Sequence, residues 1–173
     1  MHSFSEIWII DHSITKIEAA TQKGNLIYRW GNPKAVNKNG ERELYSQHDA
    51  EWISNNNILV FNNGNRIEQA YSSVVEIQYS DESILGNTEI VWEYSSGEDF
   101  YATNISGAQR LENGNTLICN GPSGYFFEVS KDGEIVWEYT NPYSTSTPNG
   151  EMNQVFRVDK YNSNYSGLAD LFK

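Results

Sequence analysis

The stretch QHDAEWISNNNILVFNNGNR, residues 47–66, carries an imidazole near its start, His48, and a guanidinium at its end, Arg66. An imidazole changes charge near neutral pH, so it can donate or accept a proton where few side chains do. A guanidinium stays charged and presents a fork of N–H donors to the oxygens of an anion. Set side by side, the two groups could hold an oxyanion and move a proton next to it. A plainer reading is structural. His48 and Asp49 would be a hydrogen-bonding pair at a strand end, and Arg66 a solvated residue after the Asn63-Gly64 turn. His12, in IIDHS, sits at another expected strand end, and the same two readings apply to it.

The elements that must position these groups are short strands. ILVF (58–61) and the TLIC of TLICN (116–120) are mainly apolar runs, as expected of strands buried on both faces. EIVWEY and LIYRW are β-branched and aromatic with polar residues between. Asn-Gly and Asp-Gly dipeptides recur between the runs and favour tight turns. Arg66 lies eighteen positions beyond His48. A strand pair running out and back over that length can return both ends to one end of a sheet. Helix signals are few: SITKIEAA and SGLADLF could each form a turn or two.

These strands repeat. DAEWISNNNILVFNNG (49–64) aligns with GAQRLENGNTLICNGP (107–122), with 58 positions from Ala50 to Ala108. SVVEIQ followed by TEIVWEY aligns with YFFEVS followed by GEIVWEY. A third copy of this second half opens the chain, as EIWIID and GNLIYRWGNP. Four strands at a period of about 50 residues mark a β-propeller blade. The expected fold is therefore all-β, a β-propeller of about two and a half to three blades, with repeats near 1–46, 47–104 and 105–150 and a terminal strand in 151–173. Propellers usually have 4–8 blades, so the expectation is a fragment of a longer ring or a chain that closes its ring by self-association. An open β-sandwich is the fallback. Trp30, Trp92 and Trp137 recur at matching positions and are expected to pack in the core.

Composition narrows the function. Aromatics at 13% fit a folded domain, because disordered chains are poor in them. A formal charge of −11 argues against nucleic-acid and anionic-membrane partners, which need clustered cations. The one cysteine, Cys119, excludes an internal disulfide and lies in an apolar run, as a buried thiol would. No apolar run approaches the ~18 residues of a membrane-spanning helix, and the N-terminus lacks the pattern of a signal peptide. Dinucleotide, P-loop, zincin, nucleophile-elbow and EF-hand signatures are missing, and no metal or cofactor is implied.

EIWIIDHS, YRWGNP, QHDAEWI with NILVFNNG, SGAQRLENGNTLICNGPSGYFFEV, GEIVWEYTNP and VFRVDKYNSNYSGLADL together closely resemble the aryl-sulfate sulfotransferase (arylsulfotransferase) family, in the order of its C-terminal portion. The resemblance implies a six-bladed propeller from a periplasmic or exported parent. It implies transfer of a sulfuryl group from a phenolic sulfate ester to another phenol, through a transiently sulfated histidine. Phenolic sulfate esters and phenols are the implied partners, and no cofactor is needed. By motif position His48 and Arg66 match residues that face the family's central funnel. His12 is a further candidate substrate contact. One departure stands out: the position matching His48 in the next repeat holds Ser106, and no histidine follows His48 in this chain. The chain by itself is expected to lack the sulfated carrier and so to be incomplete or inactive, and a non-catalytic binding or scaffold propeller is the alternative.

Overall fold

The computed structural model describes residues 7–11, 25–36, 39–54, 56–79, 88–148 and 150–168. Among these, every strand pairing is antiparallel and no α-helix occurs; the helical pieces are single 3-10 turns. The chain is all-β. It divides into two compact units, Met1–Asn104 and Ile105–Lys173.

In the first unit, β1 (Ile7–Asp11) and β2 (Asn25–Trp30) form a hairpin. Next comes a four-stranded sheet of β3 (His48–Trp52), β4 (Asn57–Asn62), β5 (Ser73–Gln78) and β6 (Glu89–Tyr94), ordered β3-β4-β5-β6. The apolar run of β4 explains the sheet's place at the core. Side chains alternate between faces along a strand, and both faces here are covered. On one, Ile58, Val60, Val75 and Ile77 pack with Leu44 and the half-buried Trp30 of β2. The Tyr28 ring meets Tyr79 edge-on at 4.9 Å, and its hydroxyl bonds to Thr88. On the other face lie Leu59, Phe61 and Val74, with Phe100 edge-on to Phe61 at 5.7 Å. Each fully buried aliphatic or aromatic side chain contributes about 1.5–3 kcal/mol.

The second unit repeats the plan with β7 (Gly107–Arg110), β8 (Thr116–Asn120), β9 (Tyr125–Val129) and β10 (Ile135–Thr140), ordered β10-β9-β8-β7. Leu117, Ile118, Cys119, Phe126, Phe127 and Val129 are buried. Corresponding positions do corresponding work. Asn57 donates from its side chain to Glu76, and Asn115 donates to Glu128 at 2.7 Å. In each case the asparagine enters the second strand and the glutamate sits on the third, opposite Leu59 or Leu117.

Beyond β10, β11 (Thr145–Thr147) and β12 (Gly150–Met152) pair as a short hairpin. NQVFRVDKY, which by sequence could begin another strand, is irregular instead. Its backbone groups bond locally to this unit: Val155 N–H donates to the Gly121 carbonyl at 3.0 Å, and Lys160 N–H to the Gln109 side chain at 2.7 Å. Of SGLADLF, Ser166–Leu168 form one 3-10 turn and the remainder lies outside the described residues, as does SITKIEAA. Trp30 packs in the core as expected. Trp137 does not: it lies on the edge strand β10, is 43% exposed, and carries the Lys160 ammonium 5.6 Å from its ring centre.

Candidate functional site

His48 is the first residue of β3 and lies opposite Phe61, near the end of β4. Between His48 and Glu51 the register slips by one residue, a β-bulge. Ser46 (φ 56) and Asp49 (φ 54), flanking His48, both occupy the left-handed region that non-glycine residues rarely visit. Such backbone persists only where the surroundings hold it, and it clusters at functional positions.

The surroundings here are a buried polar network. Asn62 accepts from Tyr45 N–H at 2.7 Å and donates to the Glu43 carbonyl at 3.1 Å, fixing the approach to β3. Asn63 is fully buried. Its side-chain NH2 donates to the Ala102 carbonyl at 2.9 Å, and its own carbonyl accepts from the Ser72 hydroxyl at 2.8 Å. Ala102 N–H donates back to that hydroxyl at 2.8 Å. Satisfied networks of this kind are stiff, since breaking any member strands a buried partner.

Against this frame the imidazole has one arrangement. His48 Nδ1 lies 2.7 Å from Asn63 Oδ1 and 3.1 Å from the Ser46 carbonyl oxygen. The Asn63 NH2 is committed to Ala102, so Oδ1 faces His48, and a backbone carbonyl only accepts. Both neighbours being acceptors, Nδ1 carries the proton and donates. In the neutral ring Nε2 is then an acceptor.

Arg66 leaves from the same end of the sheet. β3 runs away from His48, and the antiparallel β4 returns to Asn62 beside it. Three residues beyond Asn63, the Arg66 Cα is within about 11 Å of the Asn63 Cα, the reach of an extended chain. Arg66 is exposed on a turn closed by Asn65, whose backbone pairs with Gln69 and whose side chain accepts from Ile67 and Glu68 N–H. The nearby Glu68 carboxylate is engaged by Arg42 and Asn65. No hydrogen bond joins His48 to Arg66. His12 lies outside the described residues.

Asn62 and Asn63 are what the sequence reading passed over, because Asn63-Gly64 has the form of a hairpin turn. Instead the chain makes a long connection from 63 to 72. Gly64 (φ 78) does need its conformation: a Cβ there would sit 2.1 Å from the Tyr71 carbonyl oxygen. The asparagine that closes both apolar runs, Asn62 and Asn120, marks the repeat, but nothing local singles out Asn63.

In the second unit, Ser106 and Gly121 take the places of His48 and Asn63, each 58 positions on. Ser106 is buried, and its hydroxyl accepts from Gly121 N–H at 3.0 Å. The contact between the two positions persists while the imidazole is gone. An open cleft of about 650 Å³ also lies in this unit, between Gln109–Asn113 and Lys160–Ser166. Its Gln109, Asn113 and Asn162 side chains bond to the cleft's own walls or to Glu128. The cleft contains neither His48 nor Arg66. Among the described residues no group of three or more His, Cys, Asp or Glu could hold a metal, and no helix is long and apolar enough to cross a membrane.

A family model described as Arylsulfotransferase (ASST) matches residues 10–166, most of the chain. The chain belongs to the arylsulfotransferase family. The match spans both sheets and the segment after them, so the membership rests on the whole repeat pattern. The chain matches no curated protein and no solved structure.

Proposed function

We propose that this arylsulfotransferase-family chain binds phenolic sulfate esters at the end of the β3–β6 sheet, with His48 and Arg66 as its working side chains. On this reading its sheets are blades of a six-bladed ring. One observation carries it: His48 sits on a strained bulge with Nδ1 donating to a buried amide, leaving Nε2 as the acceptor. In the transfer the sulfur–oxygen bond to the donor phenol breaks while one to the acceptor phenol forms. The acceptor's proton passes to Nε2 and then to the departing phenolate. Arg66 donates to the sulfuryl oxygens, where fixed positive donors stabilise the transition state. His12 is a further substrate contact.

A second reading, a binding module without transfer, is favoured by Ser106. A buried hydroxyl at that place supplies no imidazole to carry the sulfuryl group, so the two-step route through a sulfated histidine lacks its carrier and only the direct transfer above is left to this chain. Calorimetry with an aryl sulfate tests the site itself. His48→Ala and Arg66→Ala should each weaken binding about 10-fold or more, the worth of one charged hydrogen bond. Unchanged affinity in both variants overturns the site. Transfer to a second phenol, lost in His48→Ala, decides for the enzyme; binding without transfer decides for the module.

A further inference from the structure

We propose that Asn63 is a positioning residue that holds His48 in its Nδ1–H form, so that Nε2 faces the ligand as a proton acceptor. The inference rests on reading His48 as the proton-transferring group. It follows from a relay of three fixed contacts. The Ala102 carbonyl can only accept, so the Asn63 NH2 points to it, at 2.9 Å. The Asn63 Oδ1 is thereby turned to His48, at 2.7 Å. An amide oxygen can only accept, so Nδ1 must donate. The Ser46 carbonyl, at 3.1 Å, asks for the same proton. A histidine side chain free in water favours the opposite form, with the proton on Nε2, and in that form Nε2 could not accept from a phenol. The protein thus selects the less common tautomer, and the group nearest Nδ1 is the Asn63 amide.

The rest of the network keeps that amide from turning. Asn63 is fully buried, and Ser72 ties the Asn63 carbonyl to Ala102 N–H. Flipping the side-chain amide would set its oxygen against the Ala102 carbonyl oxygen, leaving two buried acceptors without a donor. The second unit shows the alternative: there glycine stands at position 121, serine at 106, and the backbone amide meets the hydroxyl directly. Imidazole and carboxamide are present together in one unit and absent together in the other.

The test reads the tautomer itself. Long-range nitrogen–proton correlation spectra of the full chain, uniformly labelled with ¹⁵N and recorded near pH 8, report which ring nitrogen carries the proton. His48 is assigned by the signals lost in His48→Gln. The expected pattern is Nδ1–H in the parent chain, Nε2–H as the main form in Asn63→Ala, and Nδ1–H again in Asn63→Asp, which keeps an acceptor oxygen in place. An Nε2–H ring in the parent overturns the inference, and so does Nδ1–H retained in Asn63→Ala. If Asn63→Ala does not fold, the parent and Asn63→Asp spectra decide, and Nε2–H in either one overturns it. Aryl sulfate affinity on the same samples separates the two claims. Unchanged binding in both His48→Ala and Arg66→Ala removes the site, whereas a wrong tautomer with binding intact removes only the role of Asn63.

Discussion

The Glu128 carboxylate, buried on β9, is met by the Lys160 ammonium from the irregular segment after β12. Burial raises the pKa of Glu128, but hydrogen bonds from Lys160, Asn115 and Asn113, with the lysine's charge, more than offset it and leave the carboxyl below its ordinary range. A carboxylate with a depressed folded-state pKa contributes stability above its unfolded value, and that contribution disappears as pH falls through the folded one. Chemical denaturation should therefore show the second unit weakening as pH drops below about 4.3, the ordinary glutamate value. In Glu128→Gln that acid dependence should shrink. An unchanged acid limb would show that the pair does not control it.

The same contact holds the segment after β12 to the sheet. Lys160 is half exposed, which limits what its charge contributes, but Glu128 without it would keep only amide donors. Lys160→Met should destabilise the second unit by about 1–3 kcal/mol, the cost of leaving a buried polar group short of a partner. Hydrogen exchange should speed up first in 155–165, because the Lys160 backbone and Gln109 would lose their anchor. Uniform acceleration across the unit would assign the effect to global stability alone.

At alkaline pH the first unit is the sensitive one. Burial raises the Tyr28 and Tyr94 pKa values, partly offset by their side-chain hydrogen bonds to Thr88 and Ser96. A tyrosine with a raised folded-state pKa favours the neutral phenol, so its contribution is complete below the unfolded value and is lost as pH rises through the folded one. Unfolding should become easier above about pH 10, the ordinary tyrosine value. Tyr28→Phe should flatten that dependence while costing about 1 kcal/mol at neutral pH for the lost Thr88 bond. A dependence that survives Tyr28→Phe would belong to Tyr94 or to Tyr45, whose pKa burial also raises, and the companion Tyr94→Phe and Tyr45→Phe measurements separate the two.

Much of this was legible in the residues. The apolar runs 58–61 and 116–119 became buried second strands, and the 58-position repeat became two sheets of the same strand order. Period, run length and turn residues are local properties, so a single sequence carries them. The site was only half legible. His48 and Arg66 stand out because their side chains suggest chemistry. Asn63, which orients His48, looked like a turn residue, since asparagine before glycine has that use far more often than burial under a histidine. What decides its role is the Ala102 carbonyl, 39 residues on, and no local pattern announces that. Trp137 failed for a related reason: a strand's residues show that it is apolar, but not that it lies at the edge of its sheet.

Gly64 offers the sharpest separation of backbone from side-chain effects near the candidate site. It follows Asn63, has φ 78, and donates its N–H to the Tyr45 carbonyl at 2.9 Å. An alanine there would bring its methyl within 2.1 Å of the Tyr71 carbonyl oxygen and 2.5 Å of that of Gln69, so the 65–71 turn would have to move. Left-handed backbone alone costs a non-glycine residue about 1–2 kcal/mol. With the clash added, Gly64→Ala should destabilise the first unit by about 2–4 kcal/mol, in the range of special-backbone substitutions. Because Arg66 rides on the displaced turn while His48 is anchored through Asn63, aryl sulfate affinity in the folded fraction should fall about as far as in Arg66→Ala, by 10-fold or more. The His48 tautomer should stay as it is in the parent chain. Intact affinity with the expected loss of stability would mean that Arg66 does not reach the ligand from that turn.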